Sequence, residues 1–394
     1  MTKDRGVLFL ATAQIIVWAG LYYSFPALLV RWEQDLGWSK LDITGAITLA
    51  IFLSAIFSPL SGRFIDSGNG PRVMTLSALI ASASLFCLGF INQILHFYIL
   101  WGIIGACFSG CLYDPCFALV TRGRGDKAKQ SIILITLIAG FAGAISFPTA
   151  HTLSEALGWR STVMIFAGFV ALVGAPLMWL GASIMESGAN KTHGKVSPPQ
   201  KTEAKLYRSP VFLLLASGFA LAAMVHSVIL QHLLPILHER KISADVAVMV
   251  ASFIGPMQVA GRLAMMAAQR FASNHNIAVS CFTVMGLSIL ILMMSNYAPP
   301  LIVMFVVLFG GGYGMVSIIR PVVARDILGE SSFGAKFGAL SMFYLIGGAS
   351  APFLGSLVWK IGGYQTVLPC LVVLSAVGLM LYISAHKRAM ALQS

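Results

Sequence analysis

The sequence predicts an all-α membrane protein in which twelve transmembrane helices form two pseudo-symmetric bundles of six. Composition and the spacing of apolar runs predict this fold class. Of the 394 residues, 58% are hydrophobic and 10% are charged, whereas a soluble domain carries about 25% charged residues. Apolar runs of about twenty residues, the length of a bilayer-crossing helix, recur along the whole chain.

The first apolar run begins close to the N-terminus and is followed by no small-residue cleavage site, so we interpret it as a helix and not as a signal peptide. The runs after it are separated by short polar or Gly- and Pro-containing segments. The predicted spans are residues 7–30, 41–61, 72–91, 96–121, 130–152, 160–184, 211–235, 245–268, 276–296, 299–325, 333–357 and 364–385.

An even number of spans places both termini on one side of the membrane. Most Lys and Arg residues fall on the segments that share this side, and such a bias marks the cytoplasmic face. We therefore attribute the net charge of +12 to the basic residues on the cytoplasmic segments, and nucleic-acid binding is not expected. Compact loops and the lack of an organelle signal favour a bacterial inner membrane.

An offset of 204 residues relates the two halves: Gly143 falls on Gly347, and Gly158 falls on Gly362. Such a repeat is typical of carriers whose halves surround a central site. A basic, Pro-containing stretch between the halves is interpreted as a linker. The predicted domains are residues 1–186 for the first bundle, 187–209 for the cytoplasmic linker and 210–394 for the second bundle.

The segment after the second span reads Gly62-Arg-Phe-Ile-Asp-Ser-Gly-Asn-Gly-Pro-Arg72. It resembles the Gly-x-x-x-Asp-x-x-Gly-Arg motif of the major facilitator superfamily, with one extra residue before the last glycine. The resemblance implies a transporter whose cytoplasmic gate includes Gly62, Arg63, Asp66 and Arg72, closing near the start of the eleventh helix. The alternative is a plain polar turn.

Further short motifs resemble the monocarboxylate-transporter-like group and its bacterial relatives. They include Ser24-Phe25-Pro26, Asp114-Pro115 and Gln258-x-x-x-Arg262. The resemblance implies that Arg262 binds substrate, with Gln258 where that group has an acidic residue. It also implies a small monocarboxylate substrate moved with a proton.

Asp114, Arg262 and Arg320 are the charged residues predicted deep within spans. A charge at the bilayer centre costs about 2.5–3.5 kcal/mol, so these residues are candidates for substrate and proton binding. Arg262 is the first candidate for gripping an anion, because a guanidinium donates two parallel hydrogen bonds to a carboxylate. Gln258 lies one helical turn before it. The alternative is that Arg262 belongs to a repeat of the Gly62-Arg63 gate motif.

Asp114 and Arg320 occupy matching places in the two halves, each directly before a proline. Their opposite charges predict a pair that forms in one access state and breaks in the other, with Asp114 able to take a proton. A static buried salt bridge is the alternative.

Several polar aromatic residues complete the candidate set. Tyr22 and Tyr23 on the first helix and Tyr344 on the eleventh are candidates for substrate contact, although tyrosine is also common at membrane interfaces. His226 on the seventh helix is a candidate for proton coupling, because the unperturbed pKa of histidine lies near physiological pH. The alternative is a buried, hydrogen-bonded histidine.

These features predict a monomeric secondary transporter that works by alternating access and moves a small organic anion by proton coupling or exchange. An exporter of amphipathic drugs or metabolites is the nearest alternative, and a non-transporting membrane sensor is an alternative from another class. The sequence has no nucleophile–base pair, phosphate loop or metal cluster, so neither an enzyme nor a cofactor or metal is expected. The expected partners are a small-molecule substrate, protons and the lipid bilayer.

Overall fold

The computed structural model describes residues 2–193, 206–268, 270–295, 298 and 300–393. These residues are almost entirely helical, and no strand occurs among them. Seven helical stretches of this described part are long and apolar enough to cross a membrane. The longest, Ile94–Gly188, has 95 residues and so holds several crossings, since one takes about 20 residues. The predicted all-helical membrane fold is confirmed.

Residues Met1–Lys201 and Glu330–Met342 form one compact unit, unit 1. Its first crossing is a broken helix in which a π-helical turn, Trp18–Tyr22, separates α1 from α2. The helices of the first 193 residues are α1 Thr2–Val17, α2 Ser24–Leu36, α3 Lys40–Phe64, α4 Gly70–Leu88, α5 Ile94–Cys111, α6 Tyr113–Arg124, α7 Ala128–Ala139, α8 Ala142–Phe169 and α9 Ala175–His193.

Local sequence explains where several of these helices begin and end. Gly37 adopts φ 67° and ends α2, a backbone conformation that glycine reaches without strain. The Ser39 hydroxyl then accepts a hydrogen bond from the Asp42 N–H at 3.1 Å and caps α3. α4 begins at Gly70 with Pro71 as its second residue, where the missing N–H costs nothing.

The segment Gly62–Arg72, which falls between the predicted spans 41–61 and 72–91, is largely helical. α3 runs to Phe64, and a single π-helical turn, Ile65–Asn69, leads into α4. Gly68 in this turn has φ 84°. The chain therefore changes direction at a single glycine, without an extended loop between α3 and α4.

Residues Thr202–Gly329 and Phe343–Ser394 form the second compact unit, unit 2. Most of the predicted linker lies outside the described residues, and the predicted domain boundaries stay a prediction. The helices after it are α10 Pro210–Glu239, α11 Ala244–Ala268, α12 Asn274–Met294, α13 Leu301–Leu328 and α14 Phe333–Gln393.

The repeated glycines mark equivalent interruptions in α8 and α14. Gly158 has φ 78° inside α8, and its offset partner Gly362 and the adjacent Gly363 have non-helical backbone angles inside α14. Each interruption falls between two predicted spans, so α8 and α14 each pass from one crossing to the next. The described helices and these breaks account for the twelve predicted crossings.

Candidate functional site

The fourth crossing is interrupted between α5 and α6. Leu112 has φ −85° and ψ −154°, and Pro115 has no N–H to donate to the Cys111 carbonyl. The fully buried Gln14 of α1 supplies the missing donor. Its Nε2 donates to the carbonyl oxygens of Cys111 at 2.9 Å and Leu112 at 3.3 Å. Gln14 thus satisfies backbone acceptors that lipid cannot solvate.

The interruption places Asp114 in the first turn of α6, where the helix dipole stabilises a carboxylate. Asp114 is half-buried, as is the adjacent Tyr113. A carboxylate at membrane depth almost always faces protein or a wet cavity and not lipid. The exposed part of Asp114 therefore indicates a hydrated surface on this side of unit 1.

Aromatic side chains surround the same point. The Trp18 indole N–H donates to Gln14 Oε1 at 3.1 Å, and its ring centroid lies 4.6 Å from Tyr113, 4.9 Å from Tyr22 and 6.1 Å from Tyr23. All four rings are half-buried; we call them the tyrosine cluster. The π-helical turn that carries Trp18 and Tyr22 is a feature often found at functional sites.

Unit 2 contains a series of contacts that links a buried arginine to two tyrosines and a histidine. The Arg320 guanidinium lies 4.0 Å from the Tyr344 ring centroid, and the hydroxyls of Tyr344 and Tyr313 are 2.8 Å apart. The Tyr313 ring is stacked parallel on His226. Arg320 is 5% and His226 6% exposed. Within the described structure, Nδ1 of His226 has no hydrogen-bond partner. We call these four residues the arginine stack.

Arg262 lies on the contact between α11 and α13. It is 7% exposed, and its Nε donates to the Gly314 carbonyl at 3.4 Å. The two backbones touch in the turn that precedes it, since a Cβ on Gly261 would overlap the Gly311 carbonyl and one on Gly314 would overlap the Gln258 carbonyl. Arg262 is thus engaged by packing inside unit 2, whereas Arg320 is covered by an aromatic face.

The Asp66 turn contacts the start of α14 within unit 1. Oδ1 of Asp66 accepts from the Gly334 N–H at 2.8 Å, and Oδ2 accepts from the Ala335 N–H at 2.7 Å. These N–H groups belong to the first turn of α14, whose dipole attracts a carboxylate. Neither Gly62 nor Gly334 has room for a Cβ, because each would overlap the other's carbonyl.

Burial raises the pKa of the Asp66 carboxyl above its ordinary value, while the two N–H donors and Arg122 act in the opposite direction. This carboxyl lies in the turn between α3 and α4, outside the hydrophobic crossings. Arg122 also donates to the Ile65 carbonyl and forms an ion pair of 2.8 Å with Glu186. Arg122 therefore ties α6 and α9 to the Asp66 turn.

The structure brings together only some of the predicted residues. Arg320, Tyr344 and His226 share one stack, and Tyr22 and Tyr23 share one cluster. Arg63 and Arg72 are exposed, and their part in a gate stays a prediction. Asp114 belongs to unit 1 and Arg320 to unit 2, so their pairing also stays a prediction.

Sequence reasoning missed several of the residues that organise these sites. Gln14 carried a signal, since it is a polar side chain in an apolar helix and Pro115 leaves a carbonyl in need of a donor. Arg122 lies in a basic segment, and Tyr313 lies within the run Gly310-Gly311-Gly312-Tyr313-Gly314, so no local pattern marks either as part of a site.

Comparison with known proteins identifies the family. The Major Facilitator Superfamily family model matches residues 10–352. The chain is 21% identical to the MFS transporter asaE of Aspergillus flavus, covering 83% of this chain and 73% of that protein. It is 22% identical to Monocarboxylate transporter 4 of Rattus norvegicus, covering 81% and 70% respectively.

The fold is also that of solved members. The crystal structure of the human organic anion transporter MFSD10 (TETRAN) aligns with a TM-score of 0.72 at 14% identity, covering 96% of this chain and 99% of that one. At this identity the likeness establishes the fold alone. Together with the family match it shows a multi-pass, non-enzymatic transporter of small molecules. The chain belongs to the major facilitator superfamily.

Proposed function

We propose that this transporter works by alternating access and moves a small organic anion, with Arg320 as the residue that binds the anionic group. The observation that carries the proposal is the buried Arg320 guanidinium lying against the Tyr344 ring. A permanently charged group at membrane depth is costly, and an anionic ligand offsets that cost through charge-assisted hydrogen bonds. The likeness to a monocarboxylate transporter supports the same substrate class.

Asp114 is proposed as the proton-binding group. It lies in the first turn of α6 and is half-buried. A monoanion moved with one proton is electroneutral, so the membrane potential, worth about 2.3 kcal/mol per charge per 100 mV, does not act on it. The pH gradient then drives net uptake.

Uptake of labelled lactate into proteoliposomes, with and without an inward proton gradient, tests this function against protein-free vesicles. We expect Arg320→Gln to lower uptake roughly 10- to 100-fold, since charge-assisted hydrogen bonds contribute about 1.5–3 kcal/mol. Arg325→Gln, a matched change on the same helix, should leave uptake within twofold. If R320Q takes up a broad range of carboxylates as fast as the wild-type protein does, the proposed role of Arg320 is refuted.

Arg262 remains a second proposal for the anion-binding residue, oriented by Gln258. Because Arg262 contacts a backbone carbonyl on the α11–α13 contact, we expect Arg262→Gln to lower thermal stability as well as uptake. Arg320→Gln should lower ligand affinity with little loss of stability. The reverse pattern would assign the anion to Arg262.

Two further variants separate the candidates for proton coupling. Asp114→Asn should abolish the dependence of uptake on the pH gradient. His226→Phe preserves an aromatic ring between Tyr313 and Phe309, so we expect the gradient dependence to survive in it. Loss of the dependence in H226F alone would transfer the role to His226.

An exporter of amphipathic compounds is a second candidate function, and the tyrosine cluster favours it because aromatic rings bind apolar bodies. Transport of a lipid-like cation at the same rate by R320Q and by the wild-type protein would support this function. We also propose that both termini are cytoplasmic, as the distribution of Lys and Arg indicates. Labelling of a cysteine placed at residue 2 from the outside of intact cells would contradict that orientation.

A further inference from the structure

We propose that unit 2 holds a further ligand site, built from other residues than the arginine stack, that binds an organic amine with an apolar, aromatic body. A cavity of about 490 Å³ lies where the end of α10, the start of α11 and the interruption of α14 meet. This volume falls in the range of about 300–1,000 Å³ that is typical of small-molecule sites. The proposal goes beyond anion transport and does not depend on it.

Contacts between α10 and α14 hold one wall of this cavity in place. The two helices are in close contact at Gly355, where a Cβ would lie 3.1 Å from Nε2 of His232. The other ring nitrogen, Nδ1 of His232, lies 2.9 Å from the Tyr364 hydroxyl. Tyr364 directly follows the interruption of α14 at Gly362 and Gly363. The hydrogen bond to His232 therefore fixes the Tyr364 ring as part of the cavity wall.

Most of the wall is apolar. Its aliphatic surface comes from Leu234, Pro235, Ile242 and Ala247. The rings of Trp359 and Tyr364 complete it, with their centroids 6.3 Å apart. Trp359 is 43% exposed, whereas Tyr364 is 8% exposed, so Trp359 is the ring that keeps surface for a ligand. Such a wall favours a ligand with an apolar body.

Glu239 gives the cavity a negative charge. Its Oε1 accepts a hydrogen bond from the Trp359 indole N–H at 3.1 Å, which holds the carboxylate beside the ring. Glu239 is also the last residue of α10, and the negative end of the helix dipole adds to its charge there. An ammonium group of a ligand offsets both, and against an indole ring it gains a cation–π attraction as well.

The basic residues that are close to Glu239 in sequence are engaged elsewhere or exposed. The Arg240 guanidinium donates to the Ser295 hydroxyl at the end of α12. Lys241 and Lys360 are exposed, and within the described part of the chain neither forms an ion pair with Glu239. The carboxylate is therefore accessible to a cationic ligand.

Trp359 has a simpler interpretation, since tryptophan near the end of a crossing commonly anchors a helix at the membrane interface. An anchor alone predicts no preference among ligands of different charge. The cavity and Glu239 predict a preference for a cation, and this difference can be measured.

Calorimetric titration of the purified full-length protein with tryptamine and tryptophol tests the proposal, because the two probes share the indole body and differ in the charged group. We expect tryptamine to bind roughly 10-fold more tightly, through the charge-assisted hydrogen bond and the cation–π contact. Indoleacetate, the anionic counterpart, should not compete with tryptamine. Equal affinities for tryptamine and tryptophol would overturn the proposal.

A charge variant locates the amine at the cavity. Glu239→Gln keeps an oxygen that accepts from the Trp359 N–H and removes the charge. We expect it to weaken tryptamine binding roughly 3- to 10-fold and to leave tryptophol binding within about twofold. Glu33→Gln is the matched control, since Glu33 is an exposed glutamate of α2 outside the cavity. A tryptamine affinity that is the same in E239Q and E33Q would contradict the proposal.

A ring variant tests the aromatic wall. Trp359→Leu should weaken tryptamine binding roughly 2- to 30-fold, because it removes the cation–π contact. Trp179→Leu is the control: Trp179 is also 43% exposed, on α9 and outside the cavity. Equal tryptamine affinities in the two variants would exclude the ring of Trp359 from the site.

This proposal and the proposed anion transport fail separately. Arg320→Gln should leave the tryptamine affinity within about twofold, whatever its effect on lactate uptake. If tryptamine binding weakens in R320Q and not in E239Q, the amine occupies the arginine stack and the cavity site is refuted. Should Trp359→Leu not fold, E239Q and the wild-type probe series decide the question.

Discussion

The hydrogen bonds between Gln14 and the broken fourth crossing yield a quantitative prediction. Gln14→Leu removes the donor to the Cys111 and Leu112 carbonyls while keeping an apolar side chain of similar size. A buried acceptor left without a partner costs about 1–3 kcal/mol, and measured hydrogen bonds between membrane helices average about 0.6 kcal/mol. We therefore expect Q14L to lower the free energy of unfolding by about 1–3 kcal/mol.

A double-mutant cycle with Pro115→Ala separates this explanation from a simple packing loss. The introduced alanine supplies the N–H that Pro115 lacks, so it can donate to the Cys111 carbonyl and make Gln14 partly dispensable. Denaturation in mixed detergent should show Q14L costing about 1 kcal/mol less in the P115A background. Gln231→Leu, at an exposed glutamine of α10, should change stability by less than about 0.5 kcal/mol.

Additive effects of Q14L and P115A, within about 0.5 kcal/mol, would refute the reasoning. The cycle also has a transport readout. If the interruption exists to place Tyr113 and Asp114, the double variant should be more stable than Q14L and yet transport poorly, because a regular helix would move both side chains.

Three further predictions test other contacts. Asp66→Ala leaves two N–H groups of α14 without acceptors and should lower the free energy of unfolding by about 1–3 kcal/mol. Asp35→Ala, at an exposed site, should leave the free energy of unfolding unchanged. Equal unfolding curves for the two variants would contradict this prediction. Tyr344→Leu should weaken anion binding roughly 2- to 30-fold by removing the cation–π contact, whereas Tyr344→Phe should retain most of it; binding titrations decide. Gly261→Ala should destabilise the protein by about 1–3 kcal/mol, because the new Cβ overlaps α13. Gly255→Ala on the same helix has open space at its Cβ and should be neutral or stabilising. Thermal unfolding of the two variants measures the difference.

The chain's fold class followed from sequence because membrane insertion imposes a length and polarity on each crossing. The positions of the breaks also followed where glycine marks them, as Gly158 and Gly362 show. The Gly62–Arg72 segment lies between two helices, as the sequence predicts. Its contacts with Arg122 and with the start of α14 join residues far apart in the sequence, so no local pattern reveals them.

The candidate site was less accessible from sequence. The buried charges could be picked out because such residues are rare at membrane depth, yet their surroundings could not. Tyr313 lies among glycines that are typical of close helix contact, and no local pattern marks its ring as part of a site. Gln14 needed knowledge that α1 lies beside the α5–α6 break, a proximity that no local pattern encodes.

By itself the sequence determined that the chain crosses a membrane many times, because length and hydrophobicity along one dimension decide that. It also predicted a repeat between the halves and a short set of charged residues inside the crossings. Only the tertiary structure decided that Arg320 meets Tyr344 and Arg262 meets a backbone carbonyl. The physical reason is that helix packing and helix rotation decide which partner a side chain meets. Two arginines in similar apolar segments carry no local signal that tells these partners apart.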